Sequence, residues 1–274
     1  MRLALIGYGE VGQTFARQFL ARGDTQVAAY DILFDGGRLA ERARQAGVTA
    51  AGNAADAARD ADVVISAVTA DAVLDVAREA ATYLKPGQYF FDINSASPST
   101  KTRAAEIVSK SGAHYLEGAA MAAVLAPGIA VPILAGGPAA NDLALRLNAL
   151  GMNIRAVATE YGRASAMKLC RSIVMKGLEV LTVECRRAAA FFDVAEEVFG
   201  SLEATYPGMG WAALAENSVE RVTNHGIRRA AEMREAAAMV ADIGLDPALA
   251  RAIADAQERG AKSADAHKRE ADAA

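Results

Sequence analysis

Lys168 is the side chain of this sequence best placed to move a proton. It stands near the start of YGRASAMKLCRSIVMKGLEVLTVECRRAAAFF (161–192), a stretch without proline and with one interior glycine, Gly177. Its apolar residues fall on nearly every side, which predicts a long helix buried between two halves of the protein. On helical spacing Ala164, Ser165, Arg171 and Ser172 lie three or four residues from Lys168 and share its face. An amine there, among small polar residues, is a general acid or base if burial lowers its pKa, and a structural lysine if it snorkels to solvent. Cys170 and Cys185 lie on the same helix, fifteen residues apart. That separation is about 22 Å of helix, too long for a disulfide.

A second set of residues suits a phosphate ligand. RLALIGYGEVGQTFARQFLARG reads as a strand, a glycine-rich turn and a helix, with Gly7, Gly9 and Gly12 in GxGxxG order. The first glycine permits the tight turn, the second lets backbone approach a pyrophosphate, and the third lets helix and strand pack closely. The next strand, TQVAAYD, ends in Asp31, nineteen residues after Gly12, where a carboxylate would bond a ribose 2′-hydroxyl. The combination predicts dinucleotide binding by Gly7, Tyr8, Gly9, Glu10, Val11, Gly12 and Asp31, with the Glu10 side chain turned away from the pyrophosphate. Asp31 would repel a 2′-phosphate, and no Arg or Lys follows it until Arg38, so NAD is expected in preference to NADP.

The elements that must position these groups alternate. DVVISAVT (62–69) and QYFFDINS (88–95) read as buried strands, with AVLDVAREAATYL a helix between them and Pro98 opening the next. Ligands of such sheets bind at the carboxyl ends of strands, which places Val68, Thr69, Asn94 and Ser95 at the cofactor crevice. HYLEGAAM, AVPILAGG and NIRAV read as further strands, with ANDLALRLNAL a helix. After Phe192 the pattern is helical, in segments near 193–205, 211–222, 227–242 and 247–259 separated by YPGMG, TNHG and Gly244 with Asp246-Pro247. The tail KSADAHKREADAA is expected to fray. The fold class is therefore α/β: a Rossmann doubly wound sheet, then a long interdomain helix and an all-α domain. The expected boundaries are 1–158 for nucleotide binding and 159–274 for substrate binding and dimerisation.

Composition narrows the function further. The 274 residues are 53% hydrophobic and 23% charged, with a net charge of −4. They make a globular protein with no basic footprint for nucleic acid or an anionic membrane. No run approaches the roughly 20 apolar residues of a spanning helix, so a cytoplasmic location is expected. His114, His225 and His267 have no ligand spacing, and two thiols are too few for a metal site, so no metal is expected.

Together these residues resemble the β-hydroxyacid dehydrogenase family, which includes 3-hydroxyisobutyrate and 6-phosphogluconate dehydrogenases. The resemblance runs over essentially the whole chain and rests on GxGxxG, DINSASP, the long helix and the helical C-terminal half. In the family's catalytic segment a small residue follows a glycine by two and a lysine follows it by six; Gly162, Ala164 and Lys168 stand in that relation. MKLCRSIVMKGLE and HGIRRAAEM look most like a poorly characterised phosphogluconate dehydrogenase-like, NAD-binding branch. The resemblance implies hydride transfer between NAD and a β-hydroxy acid, or a related acidic alcohol or carbonyl, with Lys168 as general acid or base. It implies substrate contacts from Asn94, Ser95, Ser165 and Ser172, with Arg171 on a carboxylate or phosphate, and a homodimer joined through the helical half.

Three places depart from the family pattern. Ser172 stands where many members have Asn, Met121 in EGAAMAA (117–123) replaces the serine of DAPVSGG, and Arg228 and Arg229 stand where relatives have Lys-Asp. Met121 thus occupies the expected substrate-carboxylate segment. Two other readings share the architecture: an imine or ketone reductase, and a dinucleotide-sensing protein without catalysis.

Overall fold

The computed structural model describes residues 1–272, with side chains as far as Lys262. Among the described residues eight strands form one sheet. They are β1 (Arg2–Ile6), β2 (Gln26–Tyr30), β3 (Thr49–Ala50), β4 (Val63–Ser66), β5 (Tyr89–Asp92), β6 (His114–Ala120), β7 (Pro132–Gly136) and β8 (Asn153–Ala158). The helices between them are α1 (Glu10–Leu20), α2 (Arg38–Gln45), α3 (Ala54–Ala58), α4 (Val73–Tyr83), α5 (Pro98–Val108) and α6 (Ala140–Asn148).

The sheet order β3-β2-β1-β4-β5-β6-β7-β8 reverses direction of growth between β1 and β4. That switch point opens the crevice in which doubly wound sheets bind ligands. Six strands run parallel; β7 pairs antiparallel with β6, and β8 follows β7 in parallel. The antiparallel turn at β7 was not evident in the sequence, because the apolar pattern of AVPILAGG carries no direction.

Parallel strands buried on both faces must be apolar at consecutive positions, and the two faces are filled differently. Leu3, Leu5, Ile65 and Phe91 meet Phe15 and Phe19 of α1 and Leu143 and Leu147 of α6. Ala4, Ile6, Val64 and Phe90 face an alanine-rich layer that includes Ala57, Ala77, Ala80, Ala104 and Ala105. Small side chains on α3, α4 and α5 let those helices sit close to the strands.

The chain divides into two compact units, Met1–Lys168 and Leu169–Ala274. The helix α7 (Arg163–Phe191) begins in the first and continues through the second, followed by α8 (Ala195–Thr205), α9 (Trp211–Asp242) and α10 (Ala248–Asp272). Asp246 caps the start of α10 by accepting from the Ala248 amide at 2.8 Å, as the Asp-Pro pair predicts. The stretch Lys262–Ala274, expected to fray, continues α10 as far as Asp272; residues 273–274 lie outside the described ones.

Two expectations are corrected. TNHG does not break the chain: α9 passes through it, because Gly226 serves packing. A Cβ on Gly226 would lie 2.2 Å from the Gln257 carbonyl oxygen, and one on Gly260 would lie 2.2 Å from Val222 Cγ1, so α9 and α10 meet backbone to backbone at Gly226 and backbone to side chain at Gly260. Nor is α7 covered all round, since Met167, Val174 and Leu181 are 47%, 60% and 66% exposed. Among the described residues no helix is long and apolar enough to cross a membrane.

Candidate active site

The glycine-rich turn follows β1 as expected, and each glycine answers to a different constraint. Gly7 has φ +97°, and a Cβ there would lie 2.3 Å from the Ala67 carbonyl oxygen. Gly12 sits on the turn itself, where a Cβ would lie 2.3 Å from the Gly7 oxygen. Gly9 is exposed, has nothing within 4 Å of where a Cβ would project, and precedes α1 without any side-chain cap. The N–H groups of the first turn of α1 therefore open onto free space at the positive end of a helix, which fits the pyrophosphate of a dinucleotide.

The remaining turn residues hold the loop. Tyr8 is buried with its ring edge-on to Phe34, and its carbonyl accepts from Gln13 Nε2 at 3.0 Å. Its amide donates to Asp31 Oδ2 at 2.7 Å, while Asp31 Oδ1 accepts from the Leu33 amide at 2.9 Å. Asp31 thus stands directly after β2, oriented by two amides from separate loops, and each oxygen keeps acceptor capacity for ribose hydroxyls. Glu10 is exposed and Val11 half-buried.

The ends of β4 and β5 are tied together by one buried network. Asn94 Oδ1 accepts from the Val68 amide at 2.6 Å, and its Nδ2 donates to Ser66 Oγ at 3.0 Å and to Asp92 Oδ1 at 2.6 Å. Asp92 Oδ1 also accepts from the Asn94 amide and lies 2.8 Å from Lys101 Nζ, while Oδ2 accepts from the Tyr115 hydroxyl at 2.7 Å. Burial first, then the Asp92 carboxylate, pushes the Tyr115 phenol well above its ordinary pKa, so it remains a donor. Thr69 is exposed, and a hydrogen bond with its side chain holds the Asp71 carboxyl below the usual range.

Lys168 arrives at this strand end from α7. Its Nζ donates to Ser95 Oγ at 2.5 Å, one residue beyond Asn94. The start of α7 is fixed by Glu117 of β6, a fully buried carboxylate whose Oε1 accepts from the Ala164 amide at 3.0 Å. Its Oε2 accepts from the Ser165 amide at 3.3 Å and the Ser165 hydroxyl at 2.8 Å. A carboxylate supplied by another strand thereby satisfies orphan donors of the helix and complements its dipole.

Several expected substrate contacts have other partners. The Ser165 hydroxyl is taken up by Glu117 and lies 3.1 Å from the Gly162 oxygen, which makes it part of the cap. Met121 packs with Ala119, Leu134 and Ala164, and its amide donates to the Pro132 oxygen. In the second unit the buried Ser172 donates to Glu232 Oε1 at 2.5 Å, and Lys176 Nζ lies 3.1 Å from the same oxygen. Arg229 pairs with the buried Glu179, and Arg171 and Arg228 are exposed. Lys168, Ser95 and Asn94 are thus brought together, with Val68 fixed beside them. Sequence reasoning missed Asp92, Lys101, Tyr115 and Glu117. The available signal was an acid within each of two apolar strands, Asp92 at the end of β5 and Glu117 in the middle of β6.

Residues 2–140 match the NAD binding domain of 6-phosphogluconate dehydrogenase, and residues 189–260 match a domain of unknown function. A conserved hypothetical protein from Sinorhizobium meliloti 1021 is 38% identical with a TM-score of 0.81, over 94% of this chain and 87% of that one. A conserved protein of unknown function, described as structurally similar to 3-hydroxyacid dehydrogenases, is 32% identical with a TM-score of 0.76, over 95% and 98% of the two chains. The Mycobacterium tuberculosis 3-hydroxyisobutyrate dehydrogenase, solved with L-serine, shares the fold at a TM-score of 0.78 and 17% identity, over 95% and 94%. With a nucleotide-domain match over half its length and relatives above 30% identity over nearly all of it, this chain belongs to the β-hydroxyacid dehydrogenase family.

Proposed function

We propose that the protein is an NAD-dependent oxidoreductase acting on a β-hydroxy acid, or a related acidic alcohol or carbonyl, with Lys168 as its general acid and base. The observation that carries this reading is the contact of Lys168 Nζ with Ser95 Oγ at 2.5 Å, on the residue that follows Asn94 at the carboxyl end of β5. When bound, the nicotinamide accepts or returns the hydride; the protein orients the substrate oxygen and handles its proton. In alcohol oxidation the neutral Lys168 amine takes the hydroxyl proton, and in carbonyl reduction its ammonium gives that proton back. Ser95 aligns the amine and offers an oxygen toward the same substrate atom. Arg171, exposed three residues further along α7, is the cation proposed for the substrate's carboxylate or phosphate.

Asp31 supports NAD over NADP. Its carboxylate is held by the Tyr8 and Leu33 amides, so it is not free to swing away from a 2′-phosphate. We also propose a homodimer, supported by the exposed apolar residues of α7.

The test is nicotinamide absorbance with NAD and NADP across β-hydroxy acids, including phosphorylated and dicarboxylic ones, for the native protein and Lys168→Ala. The expected result is NAD-preferring turnover that falls about 10²-fold or more in the variant, with cofactor affinity nearly intact. Unchanged turnover in Lys168→Ala overturns the assignment. Activity confined to imines or ketones would redirect it to the reductase reading.

A further inference from the structure

Lys101, on the first turns of α5, is 0% exposed, an unusual position for an ammonium. Its Nζ lies 2.8 Å from Asp92 Oδ1 and donates to the Asp92 main-chain oxygen at 3.0 Å. The other buried residues of its helix, Ala104, Ala105 and Val108, belong to the apolar layer on that face of the sheet. Replacing a buried ion pair by apolar groups of similar volume is often neutral or stabilising, so the fold alone does not account for this lysine.

The hydrogen bonds lead from Lys101 to the crevice. Lys101 fixes Asp92, Asp92 Oδ1 takes both the main-chain and side-chain N–H groups of Asn94, and Asn94 Oδ1 takes the Val68 amide across the sheet. The Asn94 carboxamide has one workable orientation here, because a flipped amide would set its NH2 against the Val68 N–H and its oxygen against the carboxylate. The next residue, Ser95, holds Lys168. We propose that Lys101 is a positioning residue: through Asp92 it locks the Asn94 carboxamide and the Val68 amide, and so sets the strand ends against which the dinucleotide and Lys168 are placed. This rests on the dehydrogenase reading for its purpose, though not for its geometry.

Lys101→Met removes the ammonium and keeps the bulk. Because it leaves Asp92 charged and unpaired, Lys101→Met/Asp92→Asn is made beside it as the variant expected to fold. Three measurements are taken on each: thermal unfolding, the 15N-resolved carboxamide signals of Asn94, and NADH affinity by fluorescence. In the native protein both Asn94 carboxamide protons are donated and should exchange slowly. In a folded variant they should exchange at least 10-fold faster, and NADH should bind at least 10-fold more weakly. Unchanged Asn94 signals and unchanged NADH affinity in either folded variant overturn the proposal and leave Lys101 a space-filling residue. Failure of the native protein to bind NADH would instead sink the dehydrogenase reading, while the carboxamide signals would still decide the role of Lys101.

Discussion

Gly9 and Gly12 belong to the same turn but differ in what a methyl group would meet. At Gly12 a Cβ would strike the Gly7 carbonyl oxygen at 2.3 Å, and neither backbone can withdraw without moving α1 off β1. Gly12→Ala is expected to cost about 1–3 kcal/mol of stability even without ligand, as overpacking does. Gly9 has φ −72° and open space, so Gly9→Ala should leave the ligand-free protein within about 1 kcal/mol of native. Its methyl would occupy the region where pyrophosphate approaches, and NADH affinity should fall at least 10-fold. Urea unfolding paired with NADH titration separates the two, and a Gly9→Ala variant with native affinity would remove the pyrophosphate from this turn. The packing constraint at Gly12 was legible in GxGxxG, because strand, turn and helix are consecutive in the chain. The 0% exposed Lys101 was not legible: PSTK at a helix start reads as surface, and its partner Asp92 belongs to another element.

At the scale of elements, the start of α7 is held by a residue from the sheet. Glu117 accepts three hydrogen bonds from Ala164 and Ser165 in the first turn of the helix. Glu117→Ala would strand those buried donors, at a cost of about 2–3 kcal/mol. Lys168 stands one turn further on, so turnover should fall along with the melting temperature, whereas NADH affinity should hold. A native melting temperature in Glu117→Ala would show that the cap is not what seats α7. The same helix marks how far sequence reading reaches. Its span and its lysine follow from a long apolar stretch without proline, but the partners of Ser165 and Ser172 do not. Helical spacing places both beside Lys168, and only the fold brings Glu117 and Glu232 to their hydroxyls. Gly226 is a parallel case, a glycine that reads as a stop until Gln257 is seen to need its missing Cβ.

At the scale of the whole molecule, α7 carries apolar residues that this chain leaves uncovered. Met167, Val174 and Leu181 recur every seven residues, a spacing that keeps them on one stripe of the helix, and Phe191 and Phe192 at its end are 83% and 71% exposed. Contiguous exposure of large apolar side chains marks an interface more often than free surface. A second copy supplies the same stripe, and a two-fold arrangement sets the two against each other. Burying such side chains contributes about 1.5–3 kcal/mol each, which over both copies offsets the roughly 4–15 kcal/mol lost on association. The native protein is therefore expected to sediment as a dimer at micromolar concentration. Val174→Lys/Leu181→Lys should sediment as a monomer, because two ammonium groups from each copy would face one another across a dry seam. Val174 and Leu181 belong to the second unit, whereas the glycine-rich turn and Asp31 belong to the first, so NADH affinity should stay at its native value in that variant. A native protein that is monomeric at micromolar concentration would rule out the homodimer, and a dimeric double variant would move the interface off this stripe of α7.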